Sequence, residues 1–92
     1  MELSEKKKKA LTSFRKAQSH LAKVIQMTES GEYCVDVMQQ NLAVIGLLKS
    51  AHQLLMENHL NSCFINAMES SSTAKKNKMV GEILQVTKLY NK

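Results

Sequence analysis

The sequence predicts an all-α protein, and three observations carry that prediction. No proline occurs in 92 residues, the only aromatics are Phe14, Tyr33, Phe64 and Tyr90, and apolar side chains recur at three- and four-residue spacing. Each of these suits a helical bundle and none suits a sheet.

Three helices account for nearly all of the chain. The first is expected from about Glu5 to Glu29, where Leu11, Phe14, Ala17, Leu21, Val24 and Ile25 repeat at helical intervals. Ser30-Gly31 ends it, because glycine tolerates the left-handed backbone that a helix stop often needs. The second helix is expected to start at Tyr33 or Cys34 and to run to about Ser70. One stripe along it reads Val35, Met38, Leu42, Ile45, Lys49, His52, Met56, His59, Cys63, and Val37, Val44, Leu47, Leu48, Leu54 and Leu55 make other faces apolar as well. A helix apolar on several sides belongs at the centre of an assembly. Residues 70–73 supply capping hydroxyls and read as a loop into a third, shorter helix on which Met79, Ile83, Val86 and Tyr90 align.

A chain of this length has little room for a self-sufficient core, so burial against partner chains is expected to supply the deficit. The predicted architecture is one domain over residues 1–92, whose basic segment 1–10 is free to fray. Its three-helix protomer, a long antiparallel hairpin plus a short carboxy-terminal helix, forms a dimeric four-helix bundle, with dimer and tetramer both open. No apolar run is long enough for a membrane span, and the lysine-rich start is not followed by the apolar stretch of a signal peptide. The expected location is the cytoplasm, where Cys34 and Cys63 read as thiols, metal ligands or redox sensors rather than a structural disulfide.

The net charge of +5 is unevenly placed. Residues 1–23 carry Lys6, Lys7, Lys8, Lys9, Arg15, Lys16 and Lys23 against Glu2 and Glu5, residues 24–74 are net acidic, and the tail from Lys75 is basic again. Such polarity suits a polyanion such as DNA, because each neutralised phosphate releases counterions. The alternative reading of the Lys6–Lys9 run is a solvated helix face.

Cys34, His59 and Cys63 are the best soft-metal ligands in the chain. At about 1.5 Å of rise per residue, Cys34 lies roughly 37 Å from His59 along one helix, whereas His59 and Cys63 are four apart and share a face. A single site using all three therefore needs Cys34 from one protomer and the His59/Cys63 pair from another, packed antiparallel. Two thiolates and one imidazole suit Cu(I), which prefers sulfur; Zn(II) normally takes four ligands, and a fourth is not evident. Taken singly, Cys34 also fits a small buried hydrophobe and His52 a core histidine.

The segment Gly31-Glu32-Tyr33-Cys34-Val35-Asp36-Val37-Met38-Gln39-Gln40, followed by His59-Leu60-Asn61-Ser62-Cys63, resembles the copper-sensitive operon repressor (CsoR/RcnR-like) family of metal-sensing transcriptional repressors. The resemblance covers roughly Leu11 to Met68 and more loosely the rest. It implies an all-helical dimer that pairs into a tetramer, represses transcription when metal-free and leaves operator DNA on binding its inducer. It matches Cys34 of one protomer and His59 and Cys63 of another to the copper ligands, with Tyr33 and Glu82 as outer partners of His59. Arg15-Lys16 match the family's basic pair in the first helix, with Lys8, Lys9 and Lys23 as supporting charges for DNA. Ala17, Gln18, Ser19 and His20 depart from the Ile-Glu-Gly-Gln more common there. Gln39 and Gln40 also match, as interface groups or part of a coupling route.

Sensors of nickel, cobalt or zinc in this family are expected to recruit an amino-terminal histidine or similar ligand, and this chain begins Met1-Glu2-Leu3. Persulfide sensors lack the histidine, and formaldehyde sensors generally lack the second cysteine. Cu(I) is thus the expected inducer, and a thiol-based persulfide or redox sensor of the same fold is the alternative. A copper carrier without DNA binding needs an exposed, exchangeable site, whereas these ligands fall on an apolar helical stripe. A helical scaffold with idle thiols is also open. No glycine-rich phosphate loop, carboxylate pair or nucleophile–base arrangement suggests an enzyme.

Overall fold

Residues 3–92 are described by the structure, a computed structural model. In chain order the elements are α1 (Glu5–Glu29), α2 (Cys34–His59), a π-helical turn (Leu60–Phe64), α3 (Ile65–Glu69) and α4 (Thr73–Tyr90), with no strand among the described residues. Backbone angles are helical at His59, Phe64 and Ile65, so no loop residue intervenes between α2, the π turn and α3. The protein therefore has the three helices that its periodicity predicts. Of the basic segment expected over residues 1–10, Met1 and Glu2 lie outside the described residues.

Local chemistry sets the helix ends. The Ser4 side chain accepts from Lys7 N at 3.2 Å, and Glu5 places a negative charge at the positive end of α1. At the other end Gly31 adopts φ 71°, Gly31 N donates to Thr28 O at 3.2 Å and Glu32 N to Met27 O at 3.0 Å. These two bonds around a left-handed glycine satisfy carbonyls that the last turn would leave open. Ser72 caps α4 as Ser4 caps α1, its hydroxyl accepting from Lys75 N at 3.2 Å.

The chain divides into two compact units, Met1–Asn58 and His59–Lys92. The first is an antiparallel hairpin. Its open end is tied by Ser4 Oγ donating to Asn58 Oδ1 at 2.6 Å and Lys6 Nζ to Glu57 Oε2 at 2.8 Å. Toward its closed end, His20 Nε2 donates to Gln40 Oε1 at 2.8 Å. Between them Ala17, Val24 and Val44 form a buried cluster, flanked by Val37 and Leu47.

Small residues make this seam. Buried Ala10, Ala17 and Val24 are seven apart on α1, and Val44 and Ala51 are seven apart on α2. That interval keeps one narrow strip facing a partner helix, and alanine lets the backbones approach. The large residues of the predicted stripes face elsewhere: Leu21 is 45% exposed, Ile25 51% and Leu42 64%, with Val35, Met38 and Ile45 also exposed. Within one protomer, α2 is thus covered along a single strip and not on several sides.

In the second unit α4 packs on α3, where Ala67 is buried. The half-buried positions of α4 are Lys76, Met79 and Ile83, a single stripe at three- and four-residue spacing. No helix among the described residues is long and apolar enough to cross a membrane.

Candidate metal centre and nucleic-acid face

Cys34 and His59 are the first and last residues of α2. The Cys34 thiol is free and exposed, following Tyr33, whose carbonyl accepts from Val37 N at 3.2 Å and so serves the first turn. Tyr33 is 70% exposed. His59 is half-buried where α2 passes into the π turn, and Cys63 lies within that turn as a second free, exposed thiol. The Ser62 hydroxyl donates to Cys63 Sγ at 3.8 Å.

The π turn was not foreseen from the sequence. Its i→i+5 bonding inserts a residue into the helix, a local cost that proteins often carry at functional sites. Here it falls on the five residues after His59 and contains Cys63. His59 and Cys63 therefore share one short stretch of the second unit, while Cys34 belongs to the first. Among the described residues of one chain, no group of three or more His, Cys, Asp or Glu side chains comes together to hold a metal.

The imidazole of His59 does have a neighbour that sequence reasoning missed. Nε2 lies 3.1 Å from the thioether sulfur of Met79 on α4. Nothing in the helical periodicity marks this contact, because Met79 reads as one more apolar member of the α4 stripe. Glu82, three residues on, is exposed and lines an open groove with Lys78, Gly81, Gln85 and Val86.

The expected basic residues gather on α1. Arg15, Lys16 and Lys23 line an open groove of about 640 Å³ together with Thr12, Ser19, His20 and Leu47. Lys8 and Lys9 are exposed about two turns before Arg15 and Lys16, and Lys8 Nζ stands 3.6 Å from Glu5 Oε1 on the surface. The His20–Gln40 bond ties this groove to α2. A second open groove, of about 550 Å³, is apolar, lined by Leu11, Phe14, Leu21, Val44 and Leu48 among others. α1 thus carries a cationic face and an apolar face.

Glu57, two residues before His59, has its titration displaced. Its hydrogen bond from Lys6 holds the carboxyl below the usual glutamate range, helped by the bond from Gln53 Nε2 at 3.3 Å and by the Lys6 charge.

Comparison with known proteins identifies a family and several named relatives. Residues 6–88 match the family described as metal-sensitive transcriptional repressor. The copper-sensing transcriptional repressor CsoR of Mycobacterium ulcerans (strain Agy99) is 45% identical over 67 residues, covering 73% of this chain and 57% of that protein. CsoR of Mycobacterium tuberculosis (strain ATCC 25618 / H37Rv) is 42% identical over 67 residues, 73% of this chain and 56% of its own length. The chain therefore spans little more than half the length of these mycobacterial relatives. CsoR of Bacillus subtilis (strain 168) is 28% identical over 90 residues, 97% of this chain and 86% of that protein. With a family match that reaches into every described helix and runs through both thiols and the histidine, the chain belongs to the metal-sensitive transcriptional repressors.

Proposed function

We propose that this protein is a copper-responsive repressor that binds operator DNA when metal-free and leaves it when Cu(I) is bound. The observation that carries the reading is the separation of the donors: two exposed thiols and one imidazole, with Cys34 opening α2 and His59 closing it. That placement fits a site shared between protomers, Cys34 from one with His59 and Cys63 from another. The donor set fits the ion, because two sulfurs and one nitrogen are soft and few. Bound there, Cu(I) would be held by Cys34 of one protomer and by His59 and Cys63 of the other, and would supply a link between the two.

Each part of the chain then has a task. Leu11, Phe14, Leu21 and the exposed α2 stripe bury against a second copy, giving a dimer and, by further pairing, a tetramer. Arg15, Lys16 and Lys23, with Lys8 and Lys9 beside them, hold DNA phosphates along α1. Tyr33, next to Cys34, and Glu82, on α4, act as outer groups of the assembled site, around a His59 ring whose Nε2 already faces Met79. The single domain works in the cytoplasm, where its thiols stay reduced. Coupling requires only that the quaternary state that takes copper well takes DNA poorly.

Anaerobic titration of Cu(I) into the protein–operator complex, followed by fluorescence anisotropy, tests this reading. Release at one equivalent per chain is expected, with operator affinity reduced by about 5–150-fold. Zn(II) and a persulfide donor serve as comparisons, and His59→Ala should keep DNA binding while losing the response to Cu(I). Release by the persulfide donor alone would transfer the protein to the thiol-sensing reading.

A further inference from the structure

The contact between His59 and Met79 bears on how the imidazole is prepared. We propose that Met79 is a positioning and specificity residue for the metal site: its thioether accepts the Nε2 proton of His59, fixes the neutral tautomer that offers Nδ1, and does so without adding negative charge. This deepens the Cu(I) reading given above and rests on it for the identity of the ion, though not for the state of the ring.

A thioether sulfur has lone pairs and no proton to give, so it can only accept. At 3.1 Å from Nε2, the sulfur has an attractive hydrogen-bonding partner when that nitrogen carries the hydrogen. A metal ion bridging the two atoms would need more room. Bonds of about 2.0 Å to nitrogen and about 2.3 Å to sulfur, opened to a trigonal angle, put the donors well beyond the observed separation. Met79 is therefore a hydrogen-bond acceptor here and not a fellow ligand. With Nε2 protonated, the free lone pair of the ring is on Nδ1, and only an unprotonated nitrogen can bind a metal.

The surrounding structure holds the sulfur in place. Met79 is in the half-buried stripe of α4 between Lys76 and Ile83, and the start of α4 is fixed by the Ser72 cap. His59 and Met79 belong to the same compact unit.

The chemical nature of the partner matters for selectivity. Histidine ligands commonly donate their other N–H to a carboxylate or carbonyl, which makes the ring a stronger base and a better ligand for harder divalent ions. A thioether orients the ring yet polarises it little. His59 is thereby kept a modest donor, which suits a sulfur-dominated Cu(I) site and disfavours Zn(II).

The full-length metal-free protein provides the test. At about pH 8.5, where imidazoles are neutral, long-range 1H–15N correlation spectra should report the Nε2–H form of His59 as dominant. Met79→Leu keeps the bulk but removes the acceptor and should give a mixture of the two tautomers. Competition with a chromogenic Cu(I) chelator should then show affinity lower by roughly 10–100-fold. Met79→Glu should restore the single tautomer and raise Zn(II) affinity relative to Cu(I). An unchanged tautomer in Met79→Leu, or a mixture produced by Glu82→Gln instead, would overturn the proposal. The spectra are read without metal, so a failure of Cu(I) to bind any variant, wild type included, would count against the copper reading while leaving the tautomer result to stand or fall by itself.

Discussion

Lys6 Nζ donates to Glu57 Oε2 at 2.8 Å, joining the first turn of α1 to the last turn of α2 two residues before His59. Gln53 donates to the other carboxylate oxygen, and Ser4 bonds Asn58 alongside, so the open end of the hairpin is closed by a polar clasp. Both partners of the ion pair are about 40% exposed, which keeps its contribution small and sensitive to salt.

The clasp gives a pH dependence with a definite sign. Glu57 titrates lower in the folded hairpin than in the unfolded chain, because Lys6 and Gln53 bond the charged form. Its stabilising effect is therefore full above the ordinary glutamate value and is lost as pH falls through the lowered one. Thermal unfolding followed by circular dichroism should show Glu57→Gln melting below wild type at neutral pH. The two curves should converge in acid, and added salt should narrow the gap. Parallel curves across the whole range would mean that the clasp contributes nothing to the fold.

The same bond separates Lys6 from Arg15, Lys16 and Lys23. A cation already paired with a carboxylate on α2 is poorly placed to neutralise a phosphate, whereas Arg15, Lys16 and Lys23 line a common open groove. Operator affinity measured against salt concentration should therefore respond differently to each. Lys16→Ala is expected to lower the log–log slope by about 0.9, the value of one phosphate contact, and to weaken binding evenly across sequences. Lys6→Ala should leave the slope nearly unchanged. Equal losses from both would place the DNA along the whole amino-terminal run.

Much of the fold was legible because helix ends are written in local chemistry. Ser30-Gly31 and the serines before Thr73 signal their stops and starts through caps that need only neighbouring residues. Which face of each helix is buried was far less legible. Leu and Phe dominate any periodicity count, yet the seam within one protomer is built on Ala10, Ala17, Val24, Val44 and Ala51, since only small side chains let α1 and α2 approach. The larger residues mark a second surface that a single chain leaves open. The π turn had no signal at all, because no proline or glycine flags it; the extra residue follows from hydrogen-bond register. The His59–Met79 contact was equally hidden, depending on a path through the Ser70–Ser72 loop that a linear pattern does not encode.

Gly31 offers a test of the local argument. At φ 71° an added Cβ would meet no atom within 4 Å beyond its chain neighbours, so any cost of Gly31→Ala is local backbone strain and not a clash with the rest of the fold. A left-handed alanine is disfavoured by about 1–2 kcal/mol. Chemical denaturation should report a loss of that size with an unchanged dependence on denaturant, while Gly31→Asn, which tolerates the conformation better, should lose less. A neutral Gly31→Ala would show that the turn relaxes to another geometry.

The shared metal site predicts complementation between damaged chains. Neither Cys34→Ser nor Cys63→Ser alone should bind Cu(I) tightly, because every site in each homo-oligomer lacks one sulfur. Mixing the two by unfolding and refolding produces hybrid dimers in which one site combines two defects and the other combines intact Cys34 with intact His59 and Cys63. With random pairing, half the dimers are hybrids carrying one good site of two, so the mixture should recover roughly a quarter of wild-type capacity. A site built within one chain gives a different result, since every chain in the mixture still lacks a ligand and no capacity returns. The measurement is stoichiometric Cu(I) uptake against a competing chelator, and recovery on mixing would establish that Cys34 serves the His59/Cys63 pair of its neighbour.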